Sequence, residues 1–323
     1  MKTAGAVMLG VIVLAACAAS WLAPNPPNRR FADLLYAPPT RIHVGDDMAL
    51  PHVHPLRIAS RLERRFEEDR TQHIPLRWFS DGVLVSAAPD AGAPLLLLGA
   101  DAYGRDRFSR LLHGSRATLA LGLLATLLAT VVGAIVGGVA GYAGGRLDTL
   151  LSRASEFVVV LPAIYVTLAL RAVMPLVLPG STIFVLLLAI FALLGWPMVA
   201  RGVRAIILVE RDREYAVAAR AAGASATRVL TRHLLPAAGG YLRTQATLLL
   251  PAFILAESTM SYVGLGFPDT TPTWGTMLQE SSNVAMLGDA PWALAPAAAI
   301  FMVVLGVNLL VQSTGRAPVQ LER

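Results

Sequence analysis

The sequence predicts an all-α polytopic membrane protein, with six transmembrane helices and a small α/β external insert between spans 1 and 2. Three observations carry that expectation. Of 323 residues, 55% are hydrophobic and only 15% charged, against about 25% charged in a soluble domain. Several apolar stretches reach the roughly 20 residues needed to cross ~30 Å of hydrocarbon. One long hydrophilic region, residues 24–116, interrupts them near the start. The expected organisation is an N-terminal anchor over residues 1–23, the insert over 24–116, a five-span core over 117–312 with a polar loop at 201–236, and a tail over 313–323.

Composition excludes several chemistries. A formal charge of +6 suits an anionic surface, and the spans select the membrane, with no nucleic acid as partner. Lys2 is the only lysine, so the chain has no Gly-Lys-Ser/Thr phosphate loop. If ATP drives it, another chain binds the nucleotide. Cys17 is the only cysteine, which removes disulfides, Cys-based zinc sites and iron–sulfur clusters. No His-Glu-x-x-His, Gly-x-Ser-x-Gly or intramembrane histidine is present. Catalytic residues, cofactors and metal sites are not expected.

Ala4–Ala23 is uncharged and about one bilayer long. It reads as a retained first span or as a signal segment, since Leu14-Ala-Ala-Cys17 resembles a lipoprotein cleavage box. In the insert, Leu56, Ala59, Leu62 and Phe66 form a stripe with charges around it, so a helix is expected over Leu56–Arg70. Ile74–Phe79 and Val83–Ala87 read as short strands joined at Ser80-Asp81-Gly82. His43, His52, His54 and His73 lack acidic partners at ligand spacing and are expected at the surface or in packing. Asp101, Arg105 and Asp106 are expected to pair locally and stiffen the start of the next span. That second span, Ala117–Gly145, carries Gly133, Gly137, Gly141 and Gly145 on one face for close helix packing. The third, Ala154–Val173, has Glu156 near its start and Pro162 to bend it. The fourth, Thr182–Ala200, ends in Trp196-Pro197, with Arg201 and Arg204 as interfacial anchors.

Between Glu210 and Pro236 lies an Arg-rich island flanked by apolar segments. A helix over Glu214–Ala222 places Tyr215, Ala218, Ala219 and Ala222 on one face. Gly223 can end it with positive φ, and Pro236 suits the first turn of the next helix. Small side chains let a partner backbone approach, while Tyr215 can fill a pocket and keep its hydroxyl wet. The expectation is a docking surface.

Tyr215-Ala-Val-Ala-Ala-Arg-Ala-Ala-Gly-Ala-Ser225, followed by Arg232-His-Leu-Leu-Pro236, resembles the EAA loop of binding-protein-dependent ABC importer permeases. The matching positions are Ala218, Ala219, Gly223, Leu235 and Pro236. Val217 stands where the motif has its glutamate, and Glu214 lies three residues earlier. Leu98-Gly-Ala-Asp-Ala-Tyr-Gly-Arg-Asp-Arg-Phe-Ser-Arg110 resembles a signature of dipeptide and oligopeptide permeases, with Ala100 replacing Thr. The resemblance runs from about Leu98 to Asn308. It implies ATPase-coupling roles for Glu214, Tyr215, Ala218, Ala219, Arg220, Gly223, Leu235 and Pro236. It also implies a homologous second permease subunit, two ABC ATPase subunits, an external substrate-binding protein and a retained first span.

The fifth span covers about Tyr241–Leu265 and holds Glu257, Ser258, Thr259 and Ser261. An ionisable group at depth faces the bundle interior or a water cavity, so these four are candidates for the translocation pathway. Pro272-Thr-Trp-Gly275 matches a further signature of the resembled family. The Pro268–Pro291 loop has Asp269, Glu280 and Asp289 and no basic residue, and Trp292–Gln312 is the last span. The Arg-rich loops at Arg146–Arg153 and Arg201–His233 therefore face the cytoplasm with both termini, and the insert is external. The resemblance implies a non-catalytic permease of the bacterial inner membrane that imports peptides by ATP-driven alternating access. An ion-gradient-driven secondary transporter is the alternative; its broken midplane helices and ion ligands are represented here by Glu257 alone.

Overall fold

The computed structural model describes residues 2–45, 50–60, 65–80, 82–87, 93–173, 178–282, 288 and 290–312. The protein is mostly helical. In chain order the helices are α1 (Lys2–Cys17), α2 (Ala19–Leu22), α3 (Arg107–Ala143), α4 (Gly145–Val160), α5 (Ala163–Val173), α6 (Gly180–Glu210), α7 (Glu214–Ala221), α8 (Ala226–Val229), α9 (Gly239–Tyr262), α10 (Trp274–Glu280) and α11 (Ala295–Gln312). Among the described residues, three segments are long and apolar enough to cross a membrane: α3, α6 and Pro291–Val311. The expected tail, 313–323, and Asp289 lie outside the described residues.

Two compact units emerge, one from residues up to Leu119 with Ser258–Leu310, the other chiefly from Ala120–Glu257. In the first, α1 packs on α11 through glycine. A Cβ at Gly5 would lie 2.8 Å from the Gly306 carbonyl oxygen, and one at Gly306 would lie 2.8 Å from Leu9 Cγ. The last carbonyls of α1 lack intrahelical donors, and Arg116 of α3 supplies them. Its Nε donates to Ala16 O at 2.6 Å, its Nη2 to Cys17 O at 2.7 Å and its Nη1 to Ser20 Oγ at 2.8 Å.

Among the described residues, the insert has three two-stranded antiparallel sheets. β1 (His52–Val53) pairs with β4 (Ile74–Pro75), β2 (Leu56–Ser60) with β3 (Arg65–Glu68), and β5 (Arg77–Trp78) with β6 (Val85–Ser86). Val53, Ile74, Leu76, Ala87, Ala93 and Leu95 form its small core. The helix expected over Leu56–Arg70 is not formed: Leu56 faces Glu68 and Ile58 faces Phe66 across a hairpin. Residues 56, 58 and 60 are the half-buried ones, alternating with exposed neighbours. A period of two with β-branched Ile58 won over the looser three-and-four stripe. The expected strands at Ile74–Phe79 and Val83–Ala87 are present as the shorter β4, β5 and β6; the first is interrupted at Leu76, whose N–H donates to Pro51 O at 2.9 Å, and ends where Phe79 takes φ 53°.

In the second unit, three of the four aligned glycines lie on α3 and meet α6. Added Cβ atoms would lie 2.5 Å from Val199 Cβ at Gly133, 2.9 Å from Ala200 Cα at Gly137 and 2.8 Å from Arg204 O at Gly141. Gly145, with φ 56° and open space around it, instead begins α4. The expected third span is not one bent helix. It breaks at Leu161-Pro162 into α4 and α5, with Leu161 extended at φ −75°, ψ 112°. Proline lacks an N–H and disfavours helical geometry in the residue before it. Pro197, by contrast, is carried inside α6.

Candidate functional site

The segment after α6 forms a compact helical hairpin. α7 ends in a left-handed turn: Gly223 has φ 80°, its N–H donates to Arg220 O at 2.9 Å, and Ala224 N–H donates to Ala219 O at 3.0 Å. This paired closure satisfies orphan carbonyls of the helix and needs a residue tolerant of positive φ. The Ser225 hydroxyl then caps α8, accepting from Arg228 N at 3.4 Å. Leu230–Leu234 continues as a π turn and Leu235–Ala238 as a 3₁₀ turn, with Pro236 in the first turn as expected.

Few side chains root this hairpin. Ala216, Val229, Leu234 and Ala238 are buried. Leu230 and Leu235 approach Gly138 of α3, whose added Cβ would lie 3.4 Å from each. Arg211 donates to Gly141 O at 3.0 Å and Arg220 to Arg211 O at 2.8 Å. Behind them, Arg204 of α6 grips Asp148 of α4 through two bonds, Nη2 reaching Oδ2 at 2.6 Å.

Outward, the hairpin presents an apolar strip on α7 among the exposed charged residues Arg213, Arg220, Arg228 and Arg232. Tyr215 is 42% exposed and Val217 47%; Ala218, Ala221 and Ala222 are exposed, Ala219 is half-buried and Glu214 is exposed. Tyr215 does not keep a free hydroxyl. It donates to Glu210 Oε2 at 2.7 Å, which fixes the ring beside the alanines. A rigid backbone, an outward aromatic and a bed of alanines can receive a complementary groove without reorganising.

The pathway candidates on α9 separate. Glu257, Ser258 and Ser261 are buried, while Thr259 is exposed. Ser261 Oγ accepts from Phe267 N at 3.2 Å, so it closes the turn through Gly264 and Gly266. Ser258 and Ser261 lie under α10, where a Cβ at Gly275 would be 2.7 Å from Ser258 Cα and from Ser261 Cβ. Of the four, Glu257 is the buried ionisable group.

The acidic loop holds what sequence reasoning missed. Arg105 pairs with Asp101 at 2.6 Å as expected, but also reaches Asp269 at 2.7 Å and Glu280 at 2.8 Å. Arg110 adds bonds to Asp269 at 3.3 Å and Glu280 at 3.2 Å. Asp106 does not join the arginines. It accepts from Asn25 Nδ2 at 3.0 Å, Phe108 N at 3.0 Å and Ser109 Oγ. The available signal was a loop with acids and no bases facing a signature with three arginines.

Burial and the neighbouring Asp101 push Glu280 up to about 7, and burial pushes Asp106 up to about 6, from ordinary values of 4.5 and 3.8. Both groups hold their protons more tightly folded than unfolded. Their contribution to stability is therefore complete below about pH 4 and lost as pH rises through 6 to 7. Thermal unfolding of the detergent-solubilised chain should show a lower midpoint at pH 8 than at pH 5.5, with Glu280→Gln removing the upper part of that slope. An equal slope in Glu280→Gln would assign the protons elsewhere.

Comparison with known proteins adds to this geometry. A family model described as the binding-protein-dependent transport system inner membrane component matches residues 117–317. A di/tripeptide transport system permease protein of Pseudomonas aeruginosa is 29% identical over 307 residues, covering 95% of this chain and 83% of that protein. A dipeptide transport system permease protein of Alkalihalophilus pseudofirmus is 34% identical over 213 residues, covering 66% of this chain and 67% of its own length. An oligopeptide transport system permease protein of Bacillus subtilis is 33% identical over 213 residues, with the same two shares.

Proposed function

The chain belongs to the family of binding-protein-dependent transport system inner membrane components, and from that premise we propose that it is the permease subunit of an ATP-driven importer of peptides. The relatives named for di-, tri- and oligopeptide transport support the substrate class. The chain supplies pathway and lever, and hydrolysis falls to a separate ATPase subunit. Its partners in this reading are a homologous second permease subunit, two ATPase subunits and an external substrate-binding protein.

The topology that fits this role has six spans, with both termini in the cytoplasm. α1, α4–α5 and α9 join the three strongly apolar segments. The insert then lies outside, where it helps seat the binding protein. The Glu210–Pro236 hairpin lies inside and docks in a groove of the ATPase through Tyr215, Ala218 and Ala219. ATP-driven closure of the two ATPases moves each hairpin with its groove and turns the cavity outward to receive substrate. Glu257 is the pathway candidate retained from α9.

The observation that carries this reading is the outward apolar face on a closed, rooted hairpin. Ala218→Arg adds bulk and charge to that face at an exposed site, so the fold of α7 should survive. Co-purified with its partner permease, this variant should bind the ATPase at least about tenfold more weakly, equivalent to roughly 1.4 kcal/mol, and lose ATP-dependent peptide uptake. Unchanged ATPase binding would remove the hairpin as the lever. Uptake abolished by an ionophore but indifferent to ATP would replace the importer with a secondary transporter.

A further inference from the structure

His43, the His52–His54 pair and His73 are separated along the chain but close in the insert. The strand register explains how. His52 faces Pro75 and Val53 faces Ile74 in the β1–β4 ladder, so the next antiparallel step sets His54 opposite His73. His52 and His54 are two residues apart and share one face of their strand. On the other side, His43 and His52 exchange backbone bonds of 2.9 and 3.0 Å. The rings gather accordingly: centroids are 4.8 Å apart for His54 and His73, 5.0 Å for His52 and His73, and 5.2 Å for His52 and His54.

The nitrogens are oriented as ligands. His54 Nδ1 lies 2.9 Å from Gln72 O, and His52 Nδ1 lies 3.3 Å from Leu50 O. A carbonyl oxygen only accepts, so both Nδ1 atoms carry the proton and both Nε2 atoms present a lone pair. Backbone carbonyls that fix the tautomer in this way are the usual outer partners of metal-binding imidazoles. His52 is fully buried, and its Nε2 has no hydrogen-bond partner among the described residues. One ligand atom from each of His52, His54 and His73 falls within 4.8 Å of the others. Tetrahedral bonds of about 2.0–2.1 Å would bring such nitrogens to roughly 3.4 Å. His73 is exposed and free to close that distance. His43 is engaged elsewhere, with its Nε2 3.2 Å from Glu68 Oε2.

We propose that His52, His54 and His73 bind one divalent transition-metal ion of the zinc class, with water in the fourth position, and that the ion staples the insert together. Three imidazoles suit zinc, copper or nickel and not the oxygen-seeking calcium or magnesium. The need for a staple is physical. Isolated two-stranded ladders are marginal in water, and among the described residues the insert has three of them around a core of six side chains. The ion would tie β1 to the residue preceding β4 at the edge of that core.

Cobalt(II) is the probe, because tetrahedral coordination gives intense visible bands. The full-length chain, purified with its partner permease and stripped with chelator, should take up one Co²⁺ per chain and release it to Zn²⁺. Zn²⁺ should slow proteolysis of the insert. His73→Ala removes an exposed ligand and should weaken binding more than about 100-fold, beyond the 10–100-fold effect of an outer partner. His54→Gln should do the same, and His233→Ala should change nothing. Absence of stoichiometric Co²⁺ binding would overturn the proposal. So would Co²⁺ affinity in His73→Ala equal to wild type, provided its metal-free digestion pattern matches.

Discussion

Replacing Arg105 with methionine should destabilise the fold by about 3–5 kcal/mol, the range for breaking a buried ion pair from one side. Arg105 is 2% exposed and is the hub for Asp101 at 0% and Glu280 at 9%. Methionine fills most of the volume but leaves two buried carboxylates short of their main donor. Arg110 stays within 3.2 Å of Glu280 and 3.6 Å of Asp101, so the loss is partial. Glu280, already raised to about 7, can shed its charge by taking a proton. The defect should therefore be smaller at pH 5.5 than at pH 8. Thermal unfolding of wild type and variant at the two pH values checks both the size and the sign. A pH-independent deficit would mean that lost packing, not stranded charge, dominates.

Gly137→Val should be the most damaging small substitution in the helical core. A Cβ there would overlap the Ala200 carbonyl oxygen and lie 2.9 Å from Ala200 Cα. Both obstacles are backbone, so no rotamer change relieves them, and α3 and α6 must separate. Overpacking commonly costs 1–3 kcal/mol; with backbone as the obstacle, about 3 kcal/mol or more is expected. The readout is the yield of monodisperse protein after detergent extraction and its unfolding temperature. Gly10→Ala is the contrast, since nothing lies within 4 Å of its added Cβ. It should leave both unchanged or slightly improved, as alanine is the better helix former. Equal behaviour of the two would show that the α3–α6 approach is not tight.

The three long apolar segments are legible because hydropathy and small-residue spacing act locally. Gly133, Gly137 and Gly141 were placed on a packing face from their spacing alone, and α6 occupies that face. Their ends were less legible. α3 begins at Arg107, ten residues before the apolar run, since the ion cluster takes up Arg110 and the α1 carbonyls take up Arg116, residues that hydropathy counts as breakers. Leu56–Arg70 misled because a charged stretch with apolar residues at mixed spacing fits both periods. Only the distant pairing of Ile58 with Phe66 decides between them. The gathering of His52, His54 and His73 is hidden for a similar reason: the register of β1 on β4 brings them together across the chain, where spacing along it does not show.

The bonds of Arg116 to Ala16, Cys17 and Ser20 carry a consequence for how such a chain can change over evolution. With Asn25 held on Ser109 and Asp106, the two ends of the insert leave and rejoin the helices side by side. Between Asn25 and Asp106 lie 80 residues, tied to the acidic loop near the stem by Asn28 to Thr270 O and Arg105 to Asp269. Segments whose ends meet can be lengthened, trimmed or exchanged with little strain on what holds them. The insert can then diversify while the helices it joins keep one geometry.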